Sequence, residues 1–135
     1  MKRVVYARRG GLEAIEIIEE EAPSPSSGQV RIEVHRAGIN FADLMMRQGL
    51  YGAAPDFPFT PGYEISGIVL ELGEGVTELS VGDRVVALSG FGGYAEQVAV
   101  DSNRVWKLPD NVSFDAAAAM PVTYLTTHHM LVYLG

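Results

Sequence analysis

The side chains able to orient or polarise a ligand in this sequence are amides, carboxylates, phenols and hydroxyls, because the chain contains no cysteine. A disulfide, a thiolate zinc site and a cysteine nucleophile are thereby excluded together. Asn40 and Asp43 stand ahead of an apolar run, Tyr51 follows in a loop, and Tyr63 and Glu64 are adjacent. Asparagine is among the commonest helix caps, and Asp43 would then fall in the first turn, where negative charge is favoured by about 0.3–1 kcal/mol. Tyr51 has an apolar body and a hydroxyl tip, and it could serve only to pin its loop. Glu64 precedes the apolar Ile65 and would be costly to bury unpaired, so it should meet an arginine or a set of hydrogen-bond donors. Thr126 could spend its hydroxyl on a helix carbonyl. His128 and His129 invite a metal, but neighbouring helical positions point about 100° apart and cannot readily share an ion. Packing or interdomain polar contacts suit them better.

The elements that must position these residues read as many short strands. Residues 3–7 and 14–20 are candidate strands, and Ala22-Pro-Ser-Pro-Ser-Ser-Gly28 is a connection of chain breakers. Over residues 29–36, Val30, Ile32 and Val34 alternate with Arg31, Glu33 and His35, the period of a half-buried strand. The period changes at residues 40–47, which predicts a short helix capped by Asn40 and stopped at Gly49. Residues 49–62 hold Gly49, Gly52, Gly62, Pro55, Pro58 and Pro61 and should be irregular backbone, where function often sits. Strand character returns over residues 65–72, 84–88 and 93–100, with turn signals at Gly73-Glu-Gly75 and Gly82-Asp83. After Pro109, Ser113 can cap a helix through residues 116–119, Pro121 interrupts it, and residues 122–134 predict a second helix ending at Gly135. A chain that stops at a helix-terminating glycine reads as truncated.

The totals bound the function classes. With 135 residues, 47% hydrophobic and 20% charged, one folded domain is expected. A formal charge of -7 and the absence of any basic stripe argue against nucleic acid as a partner. The N-terminus carries no apolar run of signal-peptide length and no segment approaches a membrane span, so a cytoplasmic protein is expected. Arg8, Arg9 and Glu19-Glu20-Glu21 are taken as solvated surface.

Gly62-Tyr63-Glu64-Ile65-Ser66-Gly67, followed by Gly73 and Val76, resembles the signature of zinc-containing alcohol dehydrogenases, with Tyr63 where the zinc-binding histidine would stand. Ala37-Gly38-Ile39-Asn40-Phe41-Ala42-Asp43 resembles a second segment of the same superfamily, with Asn40 in place of the zinc-binding cysteine. Catalytic zinc needs about three protein ligands. Two are replaced at once, and the family's four-cysteine structural lobe has no counterpart between Leu88 and Gly93. Together with Val81-Gly82-Asp83-Arg84-Val85 and Gly93-Tyr94-Ala95-Glu96, the pattern resembles the zinc-free quinone oxidoreductase branch of the medium-chain dehydrogenase/reductases, near zeta-crystallin and VAT-1-like proteins.

The resemblance implies a mainly β fold, a GroES-like distorted antiparallel β-barrel with short helices and C-terminal helices. Residues 1–121 would form the substrate-binding domain, and residues 122–135 the helix leading into a Rossmann cofactor domain absent from these residues. No G-x-G-x-x-G turn between a strand and a helix is present, so no independent dinucleotide site can be argued. The implied activity is hydride transfer from NADPH, or NADH, to a quinone or α,β-unsaturated carbonyl without zinc. Asn40 and Thr126 would face the cofactor's nicotinamide end, Asn40 and Tyr63 would orient the reacting carbonyl, and Asp43, Tyr51 and Glu64 would line the acceptor side. For Glu64 the residues themselves favour orienting a neighbouring loop over proton transfer. Enoyl reduction in lipid or polyketide pathways shares the same implied cleft, and a non-catalytic binding or structural role is the rival from another class. The chain alone is expected to be inactive and, through its apolar end around Met120 to Leu134, to dimerise or aggregate.

Overall fold

Strand β3 (Gln29–Ala37) is the spine of the molecule, and its alternation decides what it faces. Val30 and Ile32 are fully buried, whereas Glu33 and His35 reach solvent. The computed structural model describes all 135 residues and places β3 between β4 (Glu64–Leu72) and β6 (Gln97–Asp101). With β5 (Arg84–Leu88) and β7 (Val105–Lys107) they form one antiparallel sheet in the order β6-β3-β4-β5-β7. Breaks in register between Arg31 and Ile32 and between Val34 and Arg36 bend β3 over its partner. The main core is built on Val30, Ile32, Ile65, Val69, Val85 and Ala87, none of which is exposed to solvent. Burial of each larger side chain contributes roughly 1.5–3 kcal/mol.

A two-stranded sheet of β1 (Lys2–Tyr6) and β2 (Ile15–Glu19) lies apart in the ladder but is stitched to the rest by the bridges Arg3–Ala95 and Tyr6–Phe59. A second, smaller core of Tyr6, Met46 and Phe59 forms under it, against Tyr63 and Phe91. The antiparallel pairing throughout gives the mainly β architecture expected from the sequence.

One expectation needs correction and one element went unforeseen. Residues 93–96 were expected in strand, but β6 spans only Gln97–Asp101, with the Glu96 carbonyl adding a single bond from the Val34 amide of β3. The amides of Gly92, Gly93 and Tyr94 donate instead to the carbonyls of Thr60, Gly62 and Pro61, so this stretch crosses over the proline-rich loop. The three-residue β7 gave no alternation to detect and forms because β5 offers it an edge.

Three helices complete the chain: α1 (Phe41–Arg47), α2 (Phe114–Ala118) and α3 (Pro121–Tyr133). Ser113 caps α2 through its hydroxyl, which accepts from the Ala116 amide at 3.2 Å. The Ser66 hydroxyl then ties α2 to β4 by donating to the Phe114 carbonyl at 2.7 Å. Helix α3 carries no Asp, Glu, Lys or Arg and no segregated polar face, yet Tyr124, Leu125, Met130, Leu131, Val132 and Tyr133 are all more than half exposed. Helices of that composition are normally covered. No helix is long and apolar enough to cross a membrane.

Candidate functional site

The end of β3, the start of α1, the start of β4 and the start of α3 meet at one place, and polar side chains hold them together. Asp43 reaches back along α1 and accepts from the Asn40 amide at 2.8 Å, which closes the helix start as a capping box. The Asn40 side chain donates through Nδ2 to Glu64 Oε1 at 3.0 Å. Glu64, only 2% exposed, also accepts from the Val122 amide in the first turn of α3 at 2.7 Å. Its two carboxylate oxygens thus meet donors rather than an arginine, one of the two partner types expected from the sequence.

Asp43 is itself 2% exposed and accepts from the Tyr94 hydroxyl at 2.6 Å through the same Oδ2. Its Oδ1, together with Nε and Nη1 of Arg47 one turn further along α1, is buried without a hydrogen-bond partner in the chain. Buried polar atoms of this kind are rare and concentrate where function resides. Burial, and then the hydrogen bond to Asp43 and its negative charge, push the Tyr94 hydroxyl well above the usual tyrosine range. Burial also raises Tyr6, with Asp43 adding to the effect and Arg47 opposing it. Both phenols therefore stay protonated at neutral pH, and that of Tyr94 donates to Asp43.

Tyr51 and Tyr63 form a second group on the irregular loop and at its exit. Their rings meet edge-on with centroids 6.4 Å apart, and Phe91 packs 5.5 Å from Tyr63 on the other side. Desolvation, followed by the neighbouring Tyr51 hydroxyl and the charge of Asp43, raises Tyr63 strongly. Tyr63 also borders a cavity of about 270 Å³ with Leu88, Gly90 and Arg104. No hydrogen bond joins this aromatic pair to Asn40; the charge of Asp43 is what reaches both groups.

Of the residues singled out from the sequence, Asn40, Asp43 and Glu64 are thus in direct contact, and Tyr51 and Tyr63 are paired. Thr126 is exposed on α3, one turn beyond Val122, and forms no hydrogen bond, whereas Thr127 back-bonds to the Thr123 carbonyl at 2.8 Å. His128 and His129 both stack near Tyr133, with centroids 6.0 and 5.5 Å away. No three His, Cys, Asp or Glu side chains are grouped as metal ligands would be. Sequence reasoning missed Tyr94 and Arg47. Tyr94 sat in a quoted segment without a role, and nothing local signals that it reaches across to Asp43.

The strand-rich frame, the motif glycines and this polar junction define the class. Over residues 26–110 the chain matches the alcohol dehydrogenase GroES-like domain, and it belongs to that family. It is 41% identical to the human synaptic vesicle membrane protein VAT-1 homolog-like over 97% of this chain and 31% of that protein. The crystal structure of that human protein superposes with a TM-score of 0.97, at 40% identity, over 99% of this chain and 43% of that one. Quinone oxidoreductase-like protein 2 of Bos taurus is 48% identical over 82% of this chain and 32% of its own length. The Escherichia coli quinone oxidoreductase complexed with NADPH superposes with a TM-score of 0.94 at 32% identity, covering 99% of this chain and 41% of that one. The chain therefore spans about a third of the length of the curated relatives it matches. Its relatives are VAT-1 homologs and quinone oxidoreductases, members of the medium-chain dehydrogenase/reductases.

Proposed function

We propose that this chain is the acceptor-binding domain, residues 1–121, of an NADPH-dependent, zinc-independent oxidoreductase that reduces a quinone or an α,β-unsaturated carbonyl. Residues 122–135 would lead into the cofactor domain of the whole protein. The observation that carries the reading is that the two positions that resemble zinc ligands hold an amide, Asn40, fixed by Asp43 and Glu64, and a phenol, Tyr63, packed edge-on against Tyr51.

The residues fit one end of NADPH only. Glu64 already occupies the donor at the start of α3, so that helix end does not serve a phosphate. Asn40 and Thr126 would face the nicotinamide, and the rest of the cofactor would be held outside this chain. NADPH, when bound, supplies the hydride. The chain's own share is positioning: Asn40 and Tyr63 would orient the acceptor carbonyl, with Tyr63 offering a proton-bearing hydroxyl to the oxygen as its negative charge grows. Tyr51, Asp43 and Glu64 would shape the acceptor side, and the flat faces of Tyr51 and Tyr63 suit a planar ring. We place the protein in the cytoplasm as a homodimer.

The test is a titration of the 135-residue chain and of the longest chain its gene encodes with NADPH, following Trp106 and cofactor fluorescence. Binding and quinone- or enone-dependent NADPH oxidation in the longer chain alone is the expected result. A well-folded longer chain that neither binds NADPH nor oxidises it would overturn this reading in favour of a non-catalytic binding role.

A further inference from the structure

We propose that Glu64 is a positioning residue that sets the side-chain amide of Asn40 and the first turn of α3 as a single unit. The carboxylate is buried, and both of its oxygens accept from neutral donors on different elements: Asn40 Nδ2 at 3.0 Å from α1, and the Val122 amide at 2.7 Å from α3. A carboxylate that accepts on both oxygens requires the nitrogen end of the Asn40 amide to face it. The orientation of Asn40 is therefore fixed from both ends, by Glu64 at its nitrogen and by the Asp43 amide of the capping box at its oxygen. The negative charge also lies at the start of α3, where the helix dipole favours it.

The backbone is shaped for this contact. A Cβ at Gly38 would lie 2.3 Å from Glu64 Oε1 and 2.6 Å from its Cγ, so only glycine admits the carboxylate here. The Gly38 amide in turn donates to the Glu64 carbonyl at 3.0 Å. The side chain is thus walled in by the end of β3 and cannot turn away from Asn40 without leaving α3 as well. Motion of α3 and orientation of Asn40 are consequently one event, which ties whatever moves α3 to the ligand-facing amide. The inference rests on the proposed function only in giving Asn40 a ligand to meet.

Glu64→Gln keeps the shape but replaces one acceptor with a donor, so Gln can satisfy Asn40 and Val122 together only if the Asn40 amide turns over and gives up its bond from the Asp43 amide. Exchanging the pair, N40D with E64Q, restores both bonds with the polarity reversed, because Gln Nε2 then donates to Asp and its oxygen accepts from Val122. In the 135-residue chain, E64Q is expected to lower hydrogen-exchange protection at Val122 about tenfold. It should also shift the two side-chain amide proton resonances of Asn40, which the Glu64 contact is expected to hold apart in the native chain. The exchanged pair should recover the Val122 protection. Unchanged Val122 protection together with unchanged Asn40 amide resonances in E64Q, or an exchanged pair no better protected than a weakened E64Q, overturns the proposal. Should E64Q lose cooperative folding, its return in the exchanged pair supports the tie and its continued absence overturns it. NADPH oxidation by the unaltered longer chain is measured separately, so failure of the proposed function leaves these outcomes decisive.

Discussion

The two cores of this domain are built on opposite rules. In the main sheet, Val30, Ile32, Ile65, Val69 and Val85 are sealed from water, and Ser66 Oγ, fully buried beside them, has its hydrogen bond. Under α1 the interior holds Asp43 and Arg47, and three of their polar atoms have no partner in the chain. One region maximises dry burial, while the other keeps charge and phenols inside at a cost in stability. The difference teaches where this fold spends its stability and where it withholds it. Stability should therefore respond steeply to shape in the sheet and to single polar atoms beneath α1.

The largest effect is expected from Gly67→Ala. A Cβ there would lie 1.8 Å from the Glu33 carbonyl oxygen, a backbone atom of the adjoining strand that cannot step aside. The β3–β4 pairing would have to part, costing about 3 kcal/mol or more, beyond ordinary overpacking. Urea unfolding followed by far-ultraviolet circular dichroism checks it; a loss under about 1 kcal/mol would show that the strands yield. Next comes Tyr94→Phe, which removes one of the two donors to a buried carboxylate oxygen and should cost about 1–3 kcal/mol. Tyr94 has a raised folded pKa, so its contribution is complete below the ordinary tyrosine value near 10 and is lost as pH climbs above it. The native chain should lose stability above about pH 10 more steeply than the Phe variant.

Much of the first region was legible in the sequence, and little of the second. The alternation of Val30, Ile32 and Val34 against Arg31, Glu33 and His35 marks β3 because a strand repeats every second residue and the pattern is local. The motif glycines were legible too, and Gly67 has its physical reason in the Glu33 carbonyl. The helix start at Asn40 was visible for the same local reason. What could not be seen was the long-range closure: Tyr94 meeting Asp43, and Glu64 meeting both Asn40 and Val122, are contacts between residues far apart in sequence. The expected strand over residues 93–96 failed for a like reason, since Gly93 and Tyr94 bond to Gly62 and Pro61 and only the Glu96 carbonyl reaches β3, at the Val34 amide.

A smaller effect sharpens the contrast at the surface of the sheet. Asp83 is lowered by its hydrogen bond from Lys107, at 2.8 Å, with burial opposing and the Ser80 amide adding to it. A depressed carboxylate stabilises the fold fully above its ordinary value near 4, and that stability is lost as pH falls through the lower folded value. Lys107 is half exposed, so solvent screens the pair and its worth is about 0.2–1 kcal/mol. Asp83→Asn should therefore cost that amount at pH 7, flatten the fall in stability between about pH 5 and pH 3, and match the native chain below it. Denaturation midpoints across that range decide it, and an identical acid profile would assign the fall to other carboxylates.

The smallest change in fold stability is expected at α3, which belongs to neither core. Leu131 is 74% exposed, so Leu131→Glu should alter unfolding by no more than about 0.5 kcal/mol. Its effect should appear in association instead, because a contiguous apolar helix seldom stays wet. Trp106, 46% exposed, shares an apolar groove with Met120, Tyr124 and Leu125 and reports on whatever covers it. Sedimentation of the native chain should show self-association with a blue-shifted Trp106 emission, and the Glu variant should sediment closer to a monomer. A native chain that stays monomeric at high concentration would mean that α3 tolerates water, and exposure alone would then say nothing of a covering partner. A helix whose substitution moves association but not folding is one whose apolar face answers to something outside the two cores.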